Sequence, residues 1–468
     1  MKVPAVLPVA AALCLAANAC LLPEEIEADQ HLALYGRYPD DSPHALRARQ
    51  GPANPAATGV PIATGDRFAG GTVPPRGQAT EPRTVQSIMT PEEVTSGLRA
   101  LASKYKDVRF FDAPYQTHEN RTVSGIVIGA GEPRIYIESG IHARERGGPD
   151  HMLYFLSDLL YARDAGTGVT WGGKSYTHKQ VLEALSAGIV SIPMVNPDGV
   201  AYDQRTGRCW RKNRNPKSAR PGGSSEASDI GIDLNRNFDA LWDFRKFFSS
   251  SLPRPPASED PAAETFRGTA PFSEQETRNI AWVAEQHRKL SWFLDLHSFT
   301  GVVLHSWGDD EAQTTDPAQS FTNPVWDGKR GIKGDFPYKE YIEADDLAAH
   351  KDTSTAMVGA MNAAGDGVTV NYYEQPSVDL YPTSGASTDW FLGRYYGKTR
   401  GANRINGITI EFGKSSGIRA CQFYPTTAQF HNSMRQVAAG MMELVLTAAG
   451  PKGDPKIRKS TRCVTRTV

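Results

Sequence analysis

The sequence predicts an α/β fold: a mixed, largely parallel central sheet with helices on both faces, in one large domain. Three observations predict it. Apolar runs of strand length alternate along the chain with stretches of helix length, the pattern that joins parallel strands by helical crossovers. Hydrophobic residues make up 40% of the 468 and charged residues 22%, which supplies a sizeable core. Beyond the N-terminus no apolar run reaches the roughly eighteen residues of a membrane span, and mean hydropathy is −0.43. The 51 basic and 52 acidic residues leave a net charge of −1, which speaks against a protein built to hold nucleic acid or an anionic membrane.

Each element follows from local pattern. Lys2, the apolar stretch Val3 to Ala17 and the small residues Ala17-Asn18-Ala19 form a secretory signal, so residues 1–19 are expected to be removed and the protein secreted to the extracellular space. Residues 20–84, rich in Pro, Gly, Ala and Arg, are expected to be a pro-segment or disordered linker. Thr90-Pro91-Glu92-Glu93 is a capping box with Pro at the first helical position, opening a helix to about Lys104. Thr122 to Ile128 alternates as a strand, and Arg134 to Ile137 is a second, ending at Gly140. Helices are expected at Pro149 to Tyr161, Val181 to Leu185, Thr277 to Leu290, Leu347 to Ala363 and Thr426 to Leu446. Ile189 to Val195, Trp292 to Leu296 and Gly407 to Phe412 read as buried strands. The long connections 203–232, 248–270 and 308–343 are of the kind that carries function. The domain therefore runs 85–449, and 450–468 is a basic tail.

Loss of the signal removes Cys14 and leaves Cys20, Cys209, Cys421 and Cys463, which permits two disulfides in any of three connectivities. Asn120-Arg121-Thr122 is a glycosylation sequon. Gly168 to Ser175 satisfies the P-loop pattern by letter, but lacks the buried strand before it and the helix opening at Lys-Ser. Gly413-Lys414-Ser415-Ser416-Gly417 satisfies the pattern of a serine-hydrolase elbow, but no clear helix follows and no His and Asp partners carry motif support.

The chemistry concentrates after the second strand. His142 and Glu145, three apart on a turn, can converge on one metal ion, and imidazole nitrogen with carboxylate oxygen suits Zn²⁺. His297, at the end of the strand Trp292 to Leu296, offers a third ligand where open α/β sheets place their sites. Asp295 shares that strand face and is assigned no role.

Taken together, these residues resemble the zinc carboxypeptidases of the carboxypeptidase A type. His142-x-x-Glu145 with the distant His297-Ser298-Phe299 is similar to that family's metal motif. Further likenesses follow in the family's order: Asn196-Pro197-Asp198-Gly199, Trp210-Arg211-Lys212, Asp233-Leu234-Asn235-Arg236-Asn237-Phe238, Tyr381 with Ser384-Gly385 and Asp389-Trp390, and Thr409-Ile410-Glu411. The resemblance covers about residues 88–446, and its look is closest to secreted fungal carboxypeptidases. It implies a single zinc-carboxypeptidase-like catalytic domain, an exopeptidase, and one Zn²⁺ held by His142, Glu145 and His297. The expected partners are peptides or proteins with a free C-terminus.

By the same resemblance, Glu411 is the general base and acid, and Arg211 stabilises the oxyanion. Arg236 clamps the terminal carboxylate with Asn235 and Tyr381. Arg144 contacts the peptide upstream of the cut, and Asp233 orients His142. Thr388 stands at the base of the side-chain pocket, with Gly308, Ala386 and Thr409 beside it, so neutral, apolar or aromatic C-terminal residues are expected. Cys209 precedes the Trp210-Arg211 motif and Cys421 follows the Glu411 strand, which makes these two the expected disulfide pair. The chain departs from the family pattern at Phe299, at His305-Ser306-Trp307-Gly308 and in an acidic loop, 309–343, long enough to cover the mouth of the site. Three rivals remain: a non-catalytic zinc-bound peptide-recognition protein on the same fold, which loss of Glu411 would have signalled; an amidase on that fold; and a serine hydrolase.

Overall fold

The computed structural model describes residues 59–81, 85–218, 230–335, 337–416, 418 and 420–451. The expected signal peptide, residues 20–58, the tail beyond Pro451, and Cys14, Cys20, Cys463 and Gly417 lie outside the described residues.

Eight strands form the central sheet: β1 (Val108–Asp112), β2 (Ser124–Ile128), β3 (Ile135–Ser139), β4 (Ile189–Ile192), β5 (Trp292–His297), β6 (Val302–His305), β7 (Tyr373–Pro376) and β8 (Asn406–Glu411). Their order is β1-β2-β4-β3-β5-β8-β6-β7. The central run β4-β3-β5-β8 is parallel throughout, as is β6-β7, while β1-β2, β2-β4 and β8-β6 are antiparallel. The four strands at the centre are buried along their whole length, which is why they read as continuous apolar runs.

Eight helices of eight residues or more accompany the sheet among the described residues: α1 (Pro91–Lys104), α2 (Gly148–Ala165), α3 (His178–Leu185), α4 (Pro197–Thr206), α5 (Gln275–Gln286), α6 (Ala344–Ala364), α7 (Ser387–Tyr396) and α8 (Thr427–Ala449). The capping box at Thr90 is formed, with its hydroxyl accepting from the Glu93 amide. One apolar core joins α1, α2, α6 and α8 to one face of the sheet. A second, built around Tyr136, Phe293, Phe391 and Ile280, lies under α5 and α7 on the other.

Five elements differ from the sequence reading. Strand β1 buries only Val108 at the sheet edge, and β7 carries Glu374, Gln375 and Pro376 on the opposite edge, so neither shows a buried-strand pattern. Strand β6 is only four residues long. Asn196-Pro197-Asp198-Gly199, which reads as a turn, is the N-terminus of α4: the Asn196 side chain accepts from the Gly199 amide and Pro197 takes the first helical position. Helix α7 starts inside the Ser-Thr-Asp-Trp segment, without a capping side chain.

Of the stretch expected to be a pro-segment or disordered linker, residues 59–81 are ordered and packed against the main core. Val60 and Phe68 are buried in the main core. The Arg67 guanidinium grips the buried Glu93 with two hydrogen bonds, Nε to Oε1 at 2.8 Å and Nη2 to Oε2 at 3.1 Å, and the Arg67 amide adds a third to Oε1 at 3.0 Å. The Ala79 amide and the Thr80 hydroxyl donate to Asp158, on the hidden face of α2. A buried carboxylate is costly unless paired, so this strap satisfies two acids of the catalytic body.

The P-loop look-alike is a β-hairpin, Val169–Trp171 with Lys174–Tyr176. No strand–loop–helix exists there. In the serine-elbow look-alike, Ser415 Oγ donates to Gln422 Oε1, and the next helix is α8.

The loop 309–343 packs against Trp307 and α7, and Lys333 reaches Asp379 at 2.7 Å, beside the Tyr381 segment. Within it Asp309 and Glu340 are buried against the guanidinium of Arg330, and Asp389 of α7 is buried at the Gly308 amide. Burial, with Asp389 nearby and only partly offset by Arg330, pushes the Asp309 carboxyl up to about 8. The folded protein thus holds a proton that the unfolded chain releases near pH ~4. Stability from this group is complete below that pH and is lost as pH climbs toward 8. Asp309→Asn, permanently neutral and of equal size, should change Tm little near pH ~4 and raise it by about 2–4 °C near pH ~9. Calorimetric Tm across that range checks this.

Candidate metal centre and substrate cleft

The metal loop leaves β3 at Gly140 (φ 70°) and enters α2 at Gly147 (φ 108°). Both take the left-handed backbone that glycine adopts at no steric cost. Between them His142 and Glu145 turn inward. Asn196 pins this loop: its Nδ2 donates to Ile141 O at 3.0 Å and to Lys212 O at 3.2 Å, so one side chain joins the metal loop to the Arg211 segment. The Ala143 amide adds a bond to Arg211 O at 3.0 Å.

His297 is the last residue of β5. Ligand atoms of His142, Glu145 and His297 lie within 4.8 Å of one another, and all three residues are buried. Glu145 Oε1 is 2.7 Å from His142 Nδ1, and Oε2 is 3.0 Å from His297 Nδ1. The two Nδ1 atoms face each other at 3.1 Å. Two imidazole nitrogens and a carboxylate aimed at one point suit Zn²⁺, which takes these ligands and keeps a fourth position open in catalytic sites. Burial alone would raise the Glu145 carboxyl, but the two imidazoles hold it far below the usual range.

The outer nitrogens are also engaged. His142 Nε2 lies 3.0 Å from Asp233 Oδ1. Despite burial, Arg211 and His142 keep Asp233 well below the ordinary carboxylate range, so it is a fixed anion. His297 Nε2 lies 3.0 Å from Asp295 Oδ2, a carboxylate to which the sequence reading gave no role. Its two-residue strand spacing from His297 was the signal. Against burial, Asp295 and Glu145 raise His297 well above its usual range.

Arg211 is buried and donates through Nε and Nη2 to Asp233 Oδ2 at 3.2 and 2.9 Å. Its Nη1 has no hydrogen-bond partner in the protein and stands 4.0 Å from Glu145 Oε1. One edge of this guanidinium is thus anchored and the other faces the metal ligands. Glu411 ends β8 in direct register with His297 on β5, so strand pairing places it beside the ligand.

Asn235 Nδ2 is 3.3 Å from His297 Nε2, and its Oδ1 accepts from the Ser387 amide at 2.9 Å. Arg236 is held by Pro256 O at 2.8 Å and Asn235 O at 2.7 Å, with its guanidinium carbon 5.9 Å from the Tyr381 ring centre. Thr388 is buried at the start of α7, close against Gly407 of β8. Arg144 differs from the rest. It is fully buried, 4.2 Å over the Phe423 ring and 3.7 Å from Glu264. The segment bearing Pro256, Pro261 and Glu264 belongs to the long connection 248–270, one of the loops expected to carry function; Pro261 O accepts from Lys212.

Cys209 and Cys421 form the expected disulfide, with Cα atoms 5.4 Å apart, tying the Arg211 segment to the chain beyond Glu411.

The zinc carboxypeptidase family matches residues 94–440, most of the chain. This chain belongs to that family. Zinc carboxypeptidase A 1 of Anopheles gambiae is 33% identical over 223 residues, 47% of this chain and 44% of that relative, so the chain spans under half of its length. Carboxypeptidase B of Astacus astacus is 25% identical over 311 residues, 64% of this chain and 80% of its own. The carboxypeptidase A structure from Helicoverpa armigera shares the fold, with a TM-score of 0.54 at 21% identity, covering 78% of this chain and 75% of that one. The metal triad of this family member is therefore the set His142, Glu145 and His297.

Proposed function

We propose that this chain is a secreted zinc-dependent exopeptidase that hydrolyses the C-terminal peptide bond of peptides and proteins and prefers neutral apolar or aromatic C-terminal residues. One observation carries the reading. The metal triad, the open edge of Arg211 and the register position of Glu411 converge at the end of the central parallel strands.

Zn²⁺ bound by His142, Glu145 and His297 would supply Lewis acidity toward the scissile carbonyl and the attacking water. Glu411 takes the water's proton and passes it to the leaving amine. Arg211 Nη1 donates to the oxyanion as charge develops there. The Arg236 fork receives the free α-carboxylate, with Asn235 and Tyr381 completing the clamp. Arg144 is fully buried against Glu264 and the Phe423 ring, so its expected contact with upstream peptide requires that pair to open. Retention of Glu411 favours catalysis over a purely peptide-binding protein, and the Arg236 clamp favours an ordinary α-carboxylate over amidase substrates.

Thr388, Gly308, Ala386 and Thr409 bring no charge to the side-chain pocket. Asp295 pairs in register with Thr409, but it is fully buried and its Oδ2 is engaged by Ser387 and His297. Thr388→Asp should therefore raise kcat/KM for C-terminal Lys relative to Phe by about tenfold or more, since a new close charge pair is worth at least ~1.4 kcal/mol there. A chromophoric peptide panel varied only at the last residue measures this ratio and tests the preference itself. An unchanged ratio would show that other residues set it. Secretion is supported by the N-terminal signal pattern and by the Cys209–Cys421 disulfide. Asn120, exposed beside a tight turn, is the expected glycan acceptor.

A further inference from the structure

Both metal-ligand imidazoles turn Nδ1 inward, so each must hold its remaining proton on Nε2 when bound to a cation. For His142 the acceptor is Asp233, as the family resemblance implies. For His297 the nearest candidates are Asp295 Oδ2 at 3.0 Å and the Asn235 side-chain amide at 3.3 Å. Asn235 Oδ1 is committed to the Ser387 amide, so the atom it turns to His297 is a donor. Two donors cannot share a hydrogen bond, which leaves Asp295.

Asp295 is itself held. Ser387 Oγ donates to the same Oδ2 at 2.6 Å. The carboxylate is fully buried, and its backbone is fixed by pairing with Glu138 on β3 and Thr409 on β8. Two flanking strands and a hydroxyl at the first residue of α7 therefore fix one oxygen against one ring nitrogen.

We propose that Asp295 is a positioning residue for the metal: it fixes the tautomer and ring plane of His297, with Ser387 as its brace. The metal pocket then has a carboxylate behind each imidazole, one on the loop at Asp233 and one on the strand at Asp295. Ser387 directly precedes Thr388, so the brace also links the side-chain pocket to the metal ligand. The proposal rests on the zinc reading above, and its test separates the two.

Carboxylates behind metal-bound histidines typically contribute about 10–100-fold in metal affinity. The experiment measures zinc affinity of the full chain by competition with a chromogenic chelator, alongside Tm of the zinc-free protein. Asp295→Asn keeps volume and loses the charge; zinc affinity should fall about tenfold, and by up to about 100-fold in Asp295→Ala, while zinc-free Tm changes little in Asp295→Asn. Ser387→Ala should weaken zinc severalfold, and it decides the matter if Asp295 variants do not fold. Wild-type zinc affinity in Asp295→Asn, or in Ser387→Ala where the former is unfolded, overturns the proposal. Failure of the wild-type chain to bind zinc would instead overturn the zinc reading.

Discussion

Glu411→Gln should lower kcat by about 10²–10⁴-fold while zinc content and Tm stay near wild type. Glutamine preserves the shape at the end of β8 but can neither take a proton from water nor deliver one to the leaving amine. The register that sets Glu411 opposite His297 is a backbone property and survives the change. KM should move much less than kcat, because the lost interaction exists only in the transition state. Steady-state kinetics on a chromophoric C-terminal Phe peptide, with metal analysis of the same sample, checks both halves. A kcat within tenfold of wild type would remove Glu411 from the mechanism.

Arg211→Ala should cost about 10²–10³ in kcat, or ~2.7–4 kcal/mol, the usual cost of removing one oxyanion donor. A second effect comes with it. Asp233 is buried and kept ionised chiefly by Arg211, so the variant leaves a carboxylate with only His142 and a backbone amide as partners. Removing one partner of a buried pair typically costs about 3–5 kcal/mol of stability. The variant should thus show both a depressed Tm and a depressed kcat. Added guanidinium ion should restore part of kcat, while the preference for free over amidated peptides, set by Arg236, persists in the variant. An Arg211→Ala enzyme with full turnover would mean that the buried guanidinium serves only to hold Asp233.

Much of this site is legible in the chain because its residues sit in short runs with local meaning. His142 and Glu145 share a turn, and Thr409 and Glu411 share a strand face. The central strands are apolar from end to end and read plainly. What escapes is whatever depends on distant segments. Strands β1 and β7 are edges, where half-exposed side chains carry no buried-strand pattern. The strap at 59–81 looks like linker by composition, yet Arg67, Phe68 and the Thr80 hydroxyl find buried partners in α1 and α2. Arg144 sits in the right motif, but its charge is answered by Glu264, some 120 residues away, which no local pattern reveals. Asp295 shows its strand face in the sequence, but its partner Ser387 lies in a helix whose start carries no cap signal.

Zinc-to-protein stoichiometry of the purified chain, by atomic absorption beside His142→Ala, tests the metal centre most directly. The geometry predicts one zinc per wild-type chain, nearly none in His142→Ala, and activity that follows the metal. Fully active wild-type protein that carries no zinc would contradict it.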